Sequence, residues 1–461
     1  MDNKKMELHR LQSKIKGRLI FPEDGDYGSA KATWDTVTDH SPSVIVEAVN
    51  AKDVIETIKF AGEESQKVTV ISTGHGPTRA ADGEIMLKLS RMDAVRIDED
   101  AGTAYVEAGA KWAKVLEEAA KFGLAPLMGS SSDVGAVGYT LGGGLGWLAR
   151  KYGMSLDMVN YFDIVTSDAE LRRAARDTCD DLFWALSGAG GAFGVVTSME
   201  IRLVPEIAVY AGNLVYGHED AAMLLEKYAE WTESLPDEMT SALVLANFPD
   251  LPIVPEPLRG KSAAMVRGCF AGNAEDGERI VNDLRGWKSP VIDMWSKIPF
   301  SAADTISNDP KEPIPLTITN VTVDELSDKT KAALLKMTFK DTGNSPILFT
   351  EVYHMGGKIS SSDRSESVFA VRDAKYVIKV MGLVPAEESR HSFTAAVIGL
   401  KDELKDELNN EAYPNFLEGL EKFNHPGRLY PAEILDKLGR LKVKLDPDNM
   451  FENGLDIVPV P

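Results

Sequence analysis

Three runs of the chain gather residue types able to handle a phosphate-bearing ligand. Ser72-Thr73-Gly74-His75-Gly76 follows the apolar run Lys67 to Ile71, a second glycine cluster spans Gly129 to Gly146, and a third spans Gly188 to Gly194. A glycine loop behind a buried strand either turns the chain through positive φ or lets backbone amides approach a phosphate closely. Either use fits one cluster; three in the same half of the chain favour a ligand. A nicotinamide-binding fingerprint at Gly142-Gly143-Gly144-Leu145-Gly146 fails on context. No apolar strand leads into it from Ser130 to Gly138, and the downstream acid Asp163 sits inside the run Val159 to Val165 rather than past its end. His9, His40, His218, His391 and His425 show no i, i+4 pairing, and Cys179 and Cys269 stand 90 positions apart, so no metal site is expected.

The elements that must position these loops follow from the hydrophobic pattern. Asn50 caps a helix carrying Val54, Ile55, Ile58 and Ala61, and Lys67 to Ile71 is a strand. Short strands follow at Ile85 to Leu89 and Ala104 to Ala108, then a helix from Lys111 with Trp112, Val115, Leu116, Ala119 and Phe122 on one face. After Pro205 the texture changes. Strands at Tyr210 to Tyr216, Ala242 to Phe248, Ala263 to Ala271, Ile347 to His354 and Tyr376 to Met381, with helices at Ala221 to Trp231 and Glu275 to Leu284, predict a second α/β unit. A terminal helix carries Ile434, Leu435, Leu438 and Leu441 and stops at Asp446-Pro447.

The 461 residues provide for two or three domains, and 50 Lys plus Arg against 71 Asp plus Glu leave a net charge of −21. That charge opposes partners bound through phosphate neutralisation, so neither nucleic acid nor an anionic membrane is an expected partner. The least charged stretch, Val134 to Ala149, is short for a membrane span and holds six glycines. With two cysteines and no apolar stretch behind Lys4-Lys5, a cytoplasmic location is expected.

Ser72 to Gly76, Val134-Gly135-Ala136-Val137-Gly138-Tyr139-Thr140-Leu141-Gly142-Gly143-Gly144-Leu145-Gly146, Arg150-Lys151-Tyr152-Gly153 with Asp157, Asp181 to Leu186 with Gly188 to Thr197, Tyr413-Pro414-Asn415-Phe416 and Asp446 to Phe451 form an ordered set. Together they resemble the FAD-linked oxidases of the vanillyl-alcohol oxidase superfamily, in the berberine-bridge-enzyme and 6-hydroxynicotine-oxidase branch. The resemblance implies an α+β fold: a bipartite PCMH-type FAD-binding domain from residues 1–205 and 411–461, the latter a berberine-bridge-like segment, around an inserted substrate domain at 206–410 with an antiparallel sheet backed by helices. It further implies FAD held by Ser72, Thr73, Gly74, His75 and Gly76, by Gly129, Ser130, Val134, Gly135, Gly138, Tyr139, Gly142, Gly143, Gly144 and Gly146, and by Asp157, Gly194, Val195, Val196, Asn415 and Asn453. In these families the histidine at the position of His75 is bonded to the flavin. The bicovalent members carry a cysteine where this chain has Ser131, and a serine hydroxyl is a far poorer nucleophile, so a single link is expected. That departure weighs against a large carbohydrate substrate. Ala136 is expected to leave the approach of dioxygen open, and Ala192 replaces the family's usual asparagine.

The implied activity is hydride removal from a small alcohol, amine or secondary-metabolite substrate, with dioxygen reduced to hydrogen peroxide. A dehydrogenase, an oxidative cyclase or a non-catalytic ligand-binding relative are the alternatives. Tyr413 and Tyr139 are the candidate bases, each equally readable as a packed aromatic, since a phenol of pKa about 10 needs help to act at neutral pH. His354 reads as structural.

Overall fold

Asn50 accepts the Asp53 N–H through its side chain, as its capping position requires, and the helix Ala51–Glu63 follows. In the computed structural model, residues 3–457 are described apart from 77–78, 253, 340–344, 363–366, 369–370, 410, 419–425 and 453–456. The helix covers a four-stranded sheet in which Arg18–Ile20 runs antiparallel to Val44–Glu47, which is parallel to Ile85–Lys88, itself parallel to Val68–Ile71. The glycine loop at 72–76 leaves the carboxyl end of this last strand. A second sheet is antiparallel throughout and orders Val95–Asp98, Thr103–Glu107, Val195–Arg202, Val159–Val165 and Leu171–Ala175.

The larger sheet has nine strands among the described residues. Its central order is Ala208–Gly217, Ser262–Phe270, Met239–Asn247, Ile347–His354, Tyr376–Leu383 and Leu316–Val323, every neighbour antiparallel. The helices Ala221–Thr232, Ala274–Trp287, Asp328–Phe339 and Glu387–Leu404 bury one face through Leu224, Leu225, Val281, Leu334, Phe393 and Leu400. The opposite face turns toward the two smaller sheets. The fold is therefore α+β; Ile347–His354 falls where its pattern indicated, Ala208–Gly217, Met239–Asn247 and Tyr376–Leu383 run longer than theirs, and the threonine-rich Leu316–Val323 was not indicated. Phe122 lies beyond the helix Trp112–Ala120 and is 44% exposed, so it does not extend that helix's apolar face.

The chain end returns to the glycine loops. Lys442, fully buried on the helix Ala432–Leu445, donates to Ala192 O at 2.6 Å and pairs with Asp446 at 2.6 Å. Asp446 in turn accepts Met450 N and Phe451 N. No helix among the described residues is long and apolar enough to cross a membrane.

Candidate active site

Gly74 adopts φ +74°, and a Cβ there would lie 2.7 Å from Thr33 Cβ, so glycine alone lets the first loop fold back. Ser72 Oγ donates to Ala108 O at 2.6 Å, and Gly135 N donates to Thr73 Oγ1 at 3.3 Å, which ties this loop to the second glycine cluster. Among the described residues, no backbone N–H from Thr73 to Gly76 donates to a protein group. These donors border a cavity of about 1170 Å³. Backbone amides left without protein partners at the edge of a cavity form a ready anion cradle.

His75 stacks on Trp34 with ring centroids 4.8 Å apart and planes 16° from parallel. Its Nδ1 is 3.0 Å from Thr73 Oγ1, and its Nε2 is 3.2 Å from Asp133 Oδ2 but without hydrogen-bond alignment. Lys111 Nζ holds the other Asp133 oxygen at 2.5 Å. Burial, partly offset by Asp133, lowers the imidazole to about 4, so the ring is neutral at pH 7.

The second cluster divides by function. Gly138 faces the cavity, with nothing within 4 Å of the place its Cβ would occupy, and Gly76 and Gly190 do the same. Gly129, Ser130, Val134, Gly135, Tyr139 and Gly142 also line the cavity, as do Gly194 and Val196 from the third cluster. Gly143, Gly144 and Gly146 do not. A Cβ on Gly144 would strike Ser155 and Tyr139, and one on Gly146 would lie 1.9 Å from Met128 O. Close packing thus excludes a side chain at Gly144 and Gly146. Val195 alternates away from the cavity wall on its strand and is buried in the opposite layer. Asp157 is also displaced from the expected role: it caps a turn through Met154 N and holds Arg372 at 2.6 Å, outside the cavity. Asn453 lies outside the described residues.

Asn415 lines the cavity, its amide donating to Tyr139 O at 2.9 Å and its Oδ1 lying against Gly142. Tyr413 does not line it. Its hydroxyl accepts Gly144 N at 3.0 Å and Leu145 N at 2.8 Å, and burial pushes the phenol up to about 12. A phenol receiving two backbone donors anchors the glycine loop and is not placed to receive a substrate proton, a correction to its expected role as base. Tyr139 lines the cavity; its hydroxyl is buried without a hydrogen-bond partner among the described residues, and burial raises its pKa well above 10. Ala136 is buried, with its N–H on Ala110 O, and is not among the residues lining the cavity. Ser131 does line the cavity. His354 is buried beside Arg150, 3.4 Å away, and burial lowers it to about 3.

The opposite wall was not foreseen. The inward face of the nine-stranded sheet carries Arg267, Glu351 and Lys379, all buried and all lining the cavity. Glu351 pairs directly across the strands with Lys379, whose Nζ is 2.5 Å from Oε2; Tyr353 Oη donates to the same oxygen at 2.6 Å, and Arg267 holds Oε1. Burial would raise the Glu351 pKa, but Arg267 and Lys379 hold it down at about 2. Lys379 and Arg267 stay protonated for the reciprocal reason. Arg267 Nε has no hydrogen-bond partner among the described residues. The cluster meets the glycine-loop wall where Lys379 lies 4.9 Å from the Phe416 ring centre and Phe416 packs edge-on to Tyr413. Each of these charges is isolated within an apolar strand, as in Thr350-Glu351-Val352 and Ile378-Lys379-Val380, and that isolation is the sequence signal of a buried ion pair.

Residues 42–175 match the family model described as an FAD binding domain. An FAD-linked oxidoreductase of Dictyostelium discoideum is 27% identical over 93% of this chain and 91% of its own length. The chain is an FAD-linked oxidoreductase. The (R)-6-hydroxynicotine oxidase of Paenarthrobacter nicotinovorans is 30% identical to this oxidoreductase over 60% of each chain. The crystal structure of 6-hydroxy-D-nicotine oxidase from Arthrobacter nicotinovorans shares its fold, with a TM-score of 0.85 at 23% identity over 97% of this chain and 98% of that one. The residues present fit FAD. Free amides at 73–76 suit a pyrophosphate, and three open glycines, Gly76, Gly138 and Gly190, leave room for a flat ligand along one wall of this oxidoreductase.

Proposed function

We propose that the protein is an FAD-dependent oxidase that takes hydride from an alcohol or amine and passes the electrons to dioxygen, forming hydrogen peroxide. The observation that carries this reading is one continuous cavity with a glycine-amide wall facing a wall of buried, ionised side chains. Residues 1–205 and 411–461 form the cofactor domain and 206–410 the substrate domain. The amides of Thr73 to Gly76, with Gly138 and Asn415, hold FAD, and His75 is its single covalent attachment. Asp133 beside Nε2 favours the tautomer protonated there, which leaves Nδ1 with the lone pair that bonding requires.

Bound FAD supplies the hydride acceptor. Glu351 borders the cavity as a carboxylate held ionised by Arg267 and Lys379, and with Lys379 it positions the substrate hydroxyl or amine. Because Glu351 Oε2 already accepts from Tyr353 and Lys379 and is a weak base, the proton released from the substrate hydroxyl or ammonium group leaves to water in the cavity. Arg267 keeps the carboxylate in register. The test needs no known substrate. The protein is reduced anaerobically with dithionite and then exposed to air; rapid reoxidation with one peroxide per flavin is expected, and slow reoxidation without peroxide contradicts the oxidase reading.

A further inference from the structure

The sheet face that carries the charged cluster changes character along its strands. At the Glu351 rung the same-face residues are Met265, Val244, Glu351, Lys379 and Asn320. Two residues further along, the rung is Ala246, Phe349, Met381 and Ile318, and beyond it stand Leu383 and Leu316. At about 3.4 Å per residue, the four-residue step from Lys379 to Leu383 carries this apolar floor to roughly 14 Å from the charged rung. All but Ala246 line the cavity, and Phe349, Met381, Ile318 and Leu383 remain only half-buried because they face it.

Further apolar residues line the same cavity: Leu251, Val254 and Leu258 of the proline-rich loop, with Met294 and Ile314. Leu251 and Met294 are 44% and 48% exposed while lining the cavity, which marks the mouth of the chamber. Three polar side chains along the wall are bonded within the chain, Asn213 to Ile306 O, Asp309 to Ser130 Oγ and Glu418 to Ile318 N, while Ser307 Oγ is buried there without a hydrogen-bond partner among the described residues. Over the apolar floor itself, stripping water from the hydroxyls of a sugar without replacement is unfavourable.

We propose that the substrate is an amphiphile, with one oxidisable hydroxyl or amine at the Arg267, Glu351 and Lys379 end and an unbranched or polycyclic hydrocarbon body about 14 Å long in the chamber. This rests on the FAD-oxidoreductase reading of the site, because it places the reacting end at the rung where Lys379 lies 4.9 Å from the Phe416 ring centre. The chamber's position beside that rung identifies the occupant: a ligand anchored at the charged cluster has its remaining atoms over Phe349 and Met381.

The test is calorimetric titration of the flavin-loaded protein, under argon, with butanol, hexanol, octanol, decanol and dodecanol, and separately with glucose and cellobiose. Affinity is expected to rise roughly three- to fourfold per methylene as far as decanol and then level off. The sugars are expected not to bind. Met381→Gln, at a cavity-facing position whose change leaves the sheet backbone intact, is expected to weaken decanol roughly tenfold and butanol less than about twofold; Leu251→Gln at the mouth acts on decanol and dodecanol alone. Equal affinity from butanol to decanol, or cellobiose bound more tightly than octanol, overturns the proposal. Neither result touches flavin content, which is read from the same sample by absorbance. A protein that binds the alcohol series but takes up no flavin overturns the oxidoreductase reading and leaves the chamber assignment standing.

Discussion

The cavity has two walls built on opposite principles. The glycine-loop wall is made of backbone, with free amides at 73–76 and open space at Gly138, whereas the sheet wall is made of side chains drawn from three strands, Arg267, Glu351 and Lys379. The first needs residues close in sequence that leave the main chain bare. The second needs only that strands align in register, so its members stand 84 and 28 positions apart. A backbone wall suits a group common to many enzymes, such as a dinucleotide; a side-chain wall adapts to one substrate.

The largest effect expected on this contrast comes from the sheet wall. Glu351→Gln leaves Arg267 and Lys379 buried without their counter-charge, and a loss of about 3 to 5 kcal/mol in unfolding free energy is expected by denaturant titration. Its pH dependence has a definite sign. The native carboxyl is held at about 2 against an ordinary 4.5, so the unfolded chain binds the extra proton between those values. The stability gap between wild type and Glu351→Gln is therefore full above about pH 4.5 and narrows as pH falls toward 2. A gap that widens on acidification contradicts the assignment.

The glycine wall is sharpened by two substitutions in one motif. Gly146→Ala forces a methyl onto Met128 O, a backbone atom that cannot swing aside, and about 1 to 3 kcal/mol of destabilisation is expected in thermal or denaturant unfolding. Gly138→Ala adds a methyl to open cavity. Its stability is expected within about 0.5 kcal/mol of wild type, with flavin occupancy reduced instead. If both variants lose stability equally, the division of the cluster into packing and cofactor-facing glycines is wrong.

The same contrast explains what was legible in the sequence. The first loop was readable because its strand, its turn and its chemistry are contiguous, and Asn50 announced the helix beside it. Glycines in the second cluster looked alike because a residue without a side chain gives no sign of which neighbour excludes one; Gly138 faces space and Gly146 faces Met128 O. Asp157 and Tyr413 carried functional chemistry in the right neighbourhood, but Arg372 and the amides of Gly144 and Leu145 engage them. Glu351 and Lys379 were invisible as a pair until the register set them side by side. A lone charge within an apolar strand was their only trace.

The most direct test of the account is where flavin colour goes when the protein is precipitated in acid. Wild type is expected to carry its yellow colour into the washed pellet, and His75→Ala, folded and still binding FAD through the glycine amides, to release it into the supernatant. Colour lost from wild type contradicts the covalent attachment at His75, and a colourless purified protein contradicts the cofactor site itself.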